Sequence, residues 1–204
     1  MKTRKLLIAL VLGMGTATAW AGETEEKPLY KDSLAPIESR VEDLLRRMTL
    51  HEKTLQLQNR PVGRIDEIES IFQGQSYGCT HEMGKTAEEC AGIYNELQKY
   101  MLTKTRLGIP ILTAVEGIQG ILQNNSTLFP HSIAQGSTFN PELIERMTDA
   151  AGKEAAAMGI HQVLSPVFDI ARELRWGRVE ETYGEDPFLI SEMGIGFVKG
   201  YQKH

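Results

Sequence analysis

Several things are scarce in this 204-residue chain, and each scarcity removes a class of function. Basic blocks are missing: 22 lysines and arginines stand against 27 aspartates and glutamates, a net charge of −5. The electrostatic footprint of a nucleic-acid binder is therefore missing too. No internal repeat or low-complexity segment is visible, which argues against a solenoid or a disordered linker. His131 and His161 have no second His or Cys at metal-ligand spacing, so no metal site is expected. No apolar run is long enough to span a bilayer. The longest, Leu6–Met14, follows Lys2, Arg4 and Lys5 and precedes the small-x-small triplet Ala19-Trp20-Ala21. That pattern reads as a secretory signal peptide over residues 1–21. No Cys follows its apolar core, so lipid attachment is not indicated. There are only two cysteines, Cys79 and Cys90. In an exported protein they have the opportunity to pair, while a Cys at the start of a helix is equally a small buried residue. Both readings stay open.

What is present is a sequence of helix and strand signals. Residues 22–36 are polar and aperiodic, a mature N-terminal tail. Ile37, Val41, Leu44, Leu45 and Met48 follow a helical rhythm. Thr49-Leu50-His51-Glu52 is a capping box that restarts a helix carrying Leu55 and Leu57; His51 in its first turn reads as a surface residue. Residues 60–85 hold Pro61, several glycines and no sustained period, and read as a long loop. Thr86-Ala87-Glu88-Glu89 is a second capping box, opening a helix to about Lys104 with Ile93, Leu97 and Met101 on one face. Residues 108–115 read as a buried strand. Asn140-Pro141 opens a helix with Leu143, Ile144, Met147, Ala150 and Ala151 inward, ended by Gly159. Residues 162–168 read as the next strand and residues 187–201 as the last helix, opened by Asp186-Pro187. Strands separated by helices predict parallel βαβ units. Asn124-Asn125-Ser126-Thr127 overlaps two N-glycosylation patterns, which behind a bacterial-looking signal are expected to be unmodified loop.

Residues 165–194 carry the densest chemistry. An apolar run passes into a loop with six carboxylates (Asp169, Glu173, Glu180, Glu181, Glu185, Asp186) and three guanidiniums (Arg172, Arg175, Arg178). A strand that delivers charged and aromatic groups into the loop before the next helix is how α/β proteins build sites. Six acids beside three arginines suggest a salt-bridged frame rather than a pair with separated pKa values.

Four segments in register resemble the N-terminal domain of glycoside hydrolase family 3, the family of many β-glucosidases and β-xylosidases. They are residues 40–45 with 48–53 (RVEDLL, MTLHEK), residues 106–110 (RLGIP), residues 139–143 (FNPEL), and residues 165–187, including Arg175-Trp176-Gly177-Arg178 and Thr182-Tyr183-Gly184-Glu185-Asp186-Pro187. The resemblance implies an α/β fold, the N-terminal part of a (β/α)8 TIM-type barrel over residues 37–204. A complete barrel needs about 250 residues, so this stretch is expected to hold its opening strands and helices only. The implied function is the N-terminal portion of an exported retaining exo-β-glycosidase acting on an oligosaccharide or β-glycoside, with no cofactor. In a retaining enzyme two carboxyl groups flank the scissile bond. The resemblance puts both the nucleophile and the acid/base beyond His204, so no catalytic residue is expected in this chain. The alternative is a non-catalytic saccharide-binding or structural remnant.

Two residues are the candidate sugar contacts. Arg178 matches the family arginine that holds hydroxyls in the first subsite, and a guanidinium is a fixed fork of donors suited to neighbouring oxygens. Gly177 beside it is expected to allow close approach. A structural ion pair with Glu180 or Glu181 is the competing role; for Arg172 and Glu181 it is the preferred one. Glu116 stands where the family commonly has the Asp of an Asp-x-x-His-Gly pattern. The added methylene pushes its carboxylate further into the pocket, as expected for a pentose. Gln119 replaces the His, and Glu173-Leu174 replaces a frequent Asp-Pro, which frees the turn before Arg175. Trp176 is expected to pack rather than to stack on a sugar.

Overall fold

The computed structural model describes residues 28–204; the expected signal peptide lies outside the described residues. These residues divide into two compact units, one ending at Arg47 and one from Met48 onward. In the first, a 3-10 turn, Leu29–Lys31, precedes helix α1, Ile37–Arg47. Asp43 ties them together by accepting from the Tyr30 amide (3.1 Å) and from Arg47 Nε (2.9 Å). The predicted helical rhythm is present, but Ile37, Val41 and Leu45 are all exposed. The period sets the helix, and burial does not follow from it.

The second unit is built on a parallel three-stranded sheet, β1 (Cys79–His81), β2 (Leu112–Val115) and β3 (Gln162–Val163), in that spatial order. Thr80 pairs with Thr113, and Val115 with Val163. Between the strands run α4 (Ala87–Lys104), the short α5 (Ser132–Gly136) and α6 (Pro141–Ala157), and α7 (Pro187–Tyr201) follows β3. Two short helices, α2 (Leu50–Leu55) and α3 (Ile68–Phe72), precede the sheet. Both capping boxes form: Thr49 with Glu52, and Thr86 with Glu89. Asn140 and Asp186 cap α6 and α7, each with Pro at its first position. Parallel strands need crossovers, and helices supply them here.

The core follows from those helices. Ile93, Leu97 and Met101 of α4 pack against Val115, Phe72, Ala151 and Ala155. A second cluster joins Ile144 of α6 to Ile190, Met193 and Phe197 of α7, with Tyr183 beneath them.

Several sequence expectations need correction. Residues 60–85 are not a structureless loop but contain a 3-10 turn (Ile65–Glu67), α3 and the strand β1. The strands are shorter than the apolar runs that suggested them, Leu112–Val115 and Gln162–Val163. Leu57 lies beyond α2 and is exposed. On α6, Ala150 faces solvent while Thr148 is buried, satisfied by its own helix through a bond to the Ile144 carbonyl (2.9 Å). Cys79 and Cys90 are both free thiols, and burial, the largest cause, raises Cys90 to about 11, which makes it an inert packing residue.

Candidate functional site

Glu116 follows β2 directly, so the strand's geometry places it at the C-terminal end of the sheet. Its surroundings fix it there. The Leu164 amide donates to the Val115 carbonyl (2.8 Å), the Gly117 amide to Ser165 Oγ (3.1 Å), and Tyr201 Oη to the Gly117 carbonyl (3.0 Å). From the other direction, the Leu122 amide donates to the Glu116 carbonyl (3.1 Å). The peptide carrying Glu116 is thus pinned by the segment leaving β3, by α7 and by its own following loop.

Arg178 comes from the loop after β3. The Ala171 amide donates to the Gly184 carbonyl (3.0 Å) and closes the base of a loop over residues 171–184. Within it lie two 3-10 turns, Leu174–Trp176 and Val179–Glu181, separated by Gly177 and Arg178. A Cβ at Gly177 would touch nothing, but its φ is +86°. Its freedom to turn left-handed, rather than close approach of another group, is what this position uses.

Glu116 and Arg178, 62 positions apart in sequence, line a single cavity of about 300 Å³. Glu180, Glu181 and His131 join them, and Ile118, Gln119 and Leu122 complete its wall. A larger hollow of about 530 Å³ runs along α7 and Phe168, but its wall is almost wholly apolar and its one charged group is Lys199. Converging polar groups, not size, mark the better candidate.

The electrostatics of the small cavity centre on one ion pair. Arg178 Nε donates to Glu181 Oε1 (2.9 Å) and Nη2 to Glu181 Oε2, a fork-to-fork arrangement. Those bonds from Arg178 hold the Glu181 carboxyl below the usual range against the opposing effect of burial, with a smaller contribution from His131. Arg178 is raised in turn, first by Glu181 and more weakly by the fields of Asp169 and Glu116. The partner is thus Glu181 and not Glu180. Arg175 pairs instead with Glu173. Arg172, expected in a structural pair, makes none among the described residues. Trp176 is outside the cavity wall; its ring centroid lies 5.9 Å from Arg178 Cζ, within cation–π range.

Of the wall residues, Gln119 is the one the motif at Glu116 brings with it, while His131 has no such signal in the sequence. His131 stands immediately before α5. Gln119 Oε1 is buried with no hydrogen-bond partner among the described residues, an acceptor without a donor. Among those residues no group of His, Cys, Asp and Glu is arranged to hold a metal ion.

Comparison with known proteins gives the geometry a context. Residues 49–204 match the model of the glycosyl hydrolase family 3 N-terminal domain. A β-xylosidase of Formosa agariphila is 43% identical over 103 residues, covering 48% of this chain and 14% of that protein. A periplasmic β-glucosidase of Salmonella typhimurium is 33% identical over 162 residues, 79% of this chain and 20% of that one. The solved β-glucosidase of Erythrobacter marinus superposes with a TM-score of 0.73 at 29% identity, over 85% of this chain and 24% of that one. The chain spans less than a third of the length of the relatives it matches. With a matching family model, neighbours of the same architecture and a partial α/β barrel, the chain belongs to glycosyl hydrolase family 3, within its N-terminal domain.

Proposed function

We propose that this chain is the sugar-gripping portion of an exported, retaining exo-β-glycosidase, in which Glu116 and Arg178 hold the terminal sugar. The observation that carries this reading is their convergence on one cavity at the C-terminal end of parallel strands, where barrel enzymes bind substrate. Glu116 offers acceptors to hydroxyl protons, and Arg178 offers donors to hydroxyl oxygens. The extra methylene of Glu116 favours a pentose, in line with the β-xylosidase among the relatives. Export is supported by the residues 1–21 pattern and by the relative named as periplasmic. Residues 22–36 are, in this reading, a tail before the barrel domain of residues 37–204.

In this reading Glu181 serves Arg178 rather than acting as the general acid. A general acid requires a raised pKa, and Glu181 is held low by Arg178. In this reading the nucleophile and the acid/base of the reaction lie beyond His204, as the family resemblance implies. The test is NMR titration of the 204-residue chain with methyl β-D-xylopyranoside and methyl β-D-glucopyranoside. Weak binding is expected, tighter for the xyloside, with shifts at Glu116 and Arg178 and no hydrolysis. Arg178→Ala and Glu116→Ala should each weaken it about tenfold. Unchanged affinity in both variants defeats the reading.

A further inference from the structure

We infer that Glu181 is a positioning residue that presents Arg178 to the cavity, with Trp176 supporting the guanidinium beside it. The inference rests on the sugar-binding reading of Arg178 and adds the means by which that arginine is aimed.

The argument begins with the difference between the two partners. The Arg178 side chain is 54% exposed and that of Glu181 only 20%. A long exposed arginine left alone distributes over many rotamers, so something must hold it if it is to act as a preformed fork. Glu181 is built to do the holding. It ends the turn Val179–Glu181, whose backbone closes through the Glu181 amide to the Arg178 carbonyl (3.2 Å) and the Thr182 amide to the Val179 carbonyl (3.1 Å). Thr182 Oγ also donates to the Val179 carbonyl (2.9 Å). The next two residues, Thr182 and Tyr183, are fully buried. A carboxylate on so anchored a backbone fixes the plane of whatever it grips.

The grip is bidentate, through Nε and one Nη2 proton of Arg178. A guanidinium has five N–H donors. Two are spent on Glu181, leaving both protons of Nη1 and the second of Nη2. Since Arg178 and Glu181 both line the cavity, an arginine clamped on one edge by Glu181 keeps its other edge for hydroxyl oxygens. Trp176 acts on the same group by cation–π attraction at 5.9 Å. Arg172, on the same loop and exposed, has among the described residues neither a carboxylate nor a ring to aim it and supplies the internal control.

A double-mutant cycle on the 204-residue chain tests this, read by titration with methyl β-D-xylopyranoside and by the 15N-edited signal of Arg178 Nε–H. Glu181→Gln is expected to weaken glycoside binding about fivefold and to broaden the Nε–H signal through faster exchange with water. In an Arg178→Ala background the same change should have no further effect, because Glu181 acts only through Arg178. Trp176→Leu should give a smaller loss in the same direction, and Arg172→Ala none. The inference is overturned if Glu181→Gln costs the same factor with and without Arg178, which would make Glu181 a direct sugar contact. It is also overturned if Glu181→Gln leaves both affinity and the Nε–H signal unchanged. Should the native chain bind no glycoside, the sugar-binding reading fails by itself. The Nε–H signal then decides positioning alone, sharp in the native chain and broadened in Glu181→Gln if the inference holds, and alike in both if it does not. Glu181→Asp, which keeps the charge and withdraws it by one bond, serves if the Gln variant fails to fold.

Discussion

Arg175 and Arg178 lie three residues apart in one loop, and each makes the same two-pronged ion pair with a nearby glutamate. The surroundings differ. Arg175 and Glu173 are 89% and 57% exposed, with water on most sides and no part in the cavity. Arg178 and Glu181 share their hollow with Glu116 and His131, and their turn leads into buried Thr182 and Tyr183. Identical chemistry thus gives a surface pair in one place and, in the proposed reading, a prepared site in the other. What separates them is the backbone beneath, not the charge pairing. Exposed pairs contribute little to stability, so the Arg175–Glu173 pair adds little to the fold.

The largest effect should come from attacking that backbone support. Gly136 of α5 passes so close to the Tyr183 carbonyl that an added Cβ would sit 2.5 Å from its oxygen. Backbone cannot rotate away as a side chain can, so Gly136→Ala must push α5 from the 179–183 segment. Such overpacking costs about 1–3 kcal/mol, and the melting temperature should drop by about 2–4 °C per kcal/mol. The sharper consequence is selective. Arg178 Nε–H should broaden while Arg175 Nε–H is unchanged, because Glu173 and Arg175 are paired within their own turn. Equal broadening of both would remove the distinction between the two pairs.

Next in size is the effect on ligand. Arg175→Ala should leave methyl β-D-xylopyranoside affinity within about twofold, against the roughly tenfold loss expected for Arg178→Ala. A comparable loss at both positions would mean that the loop acts through its net charge and not through one aimed fork.

How far the sequence carried these conclusions varies by residue. The helices were legible because capping residues act locally: Thr49 with Glu52, Thr86 with Glu89, Asn140 with the Leu143 amide, and Asp186 with the Phe188 amide all bond within a few positions. The strand β1 was not legible, because what makes residues 60–85 ordered is distant. Asn59 bridges Cys79, the Val62 amide donates to the buried carboxylate of Glu82, and Leu112 bonds back to Gly78. None of those pairings has a periodic signature. The site divides in the same way. Arg178 and Glu116 were found through family resemblance to motif positions, and their convergence needed the sheet. His131 was invisible as a wall residue because the chain between it and Arg178 runs through α5, α6 and β3 before returning. The sequence left Glu180 and Glu181 both open as the partner of Arg178; the 3-10 turn decides it by bringing i and i+3 side by side.

The smallest expected effect concerns acid. Glu173 is lowered from 4.5 to about 2, first by its bonds from the Arg175 side chain and then by the Arg175 amide; Glu181 is lowered by Arg178. A carboxyl whose pKa is depressed by folding adds stability above its ordinary value and loses it as pH falls through the folded value. For Glu173 that window runs from 4.5 down to about 2. Screening then separates the pairs. Salt at 1 M shortens the Debye length to about 3 Å, which acts fully on an exposed pair and less on a sheltered one. A 13C titration of the two glutamate carboxyls at low and high salt should therefore move Glu173 upward toward its ordinary value more than Glu181. Arg175→Ala should raise Glu173 at any salt and leave Glu181 where it is. If salt moves both carboxyls alike, the cavity gives Glu181 no shelter, and the two arginines differ only in their neighbours.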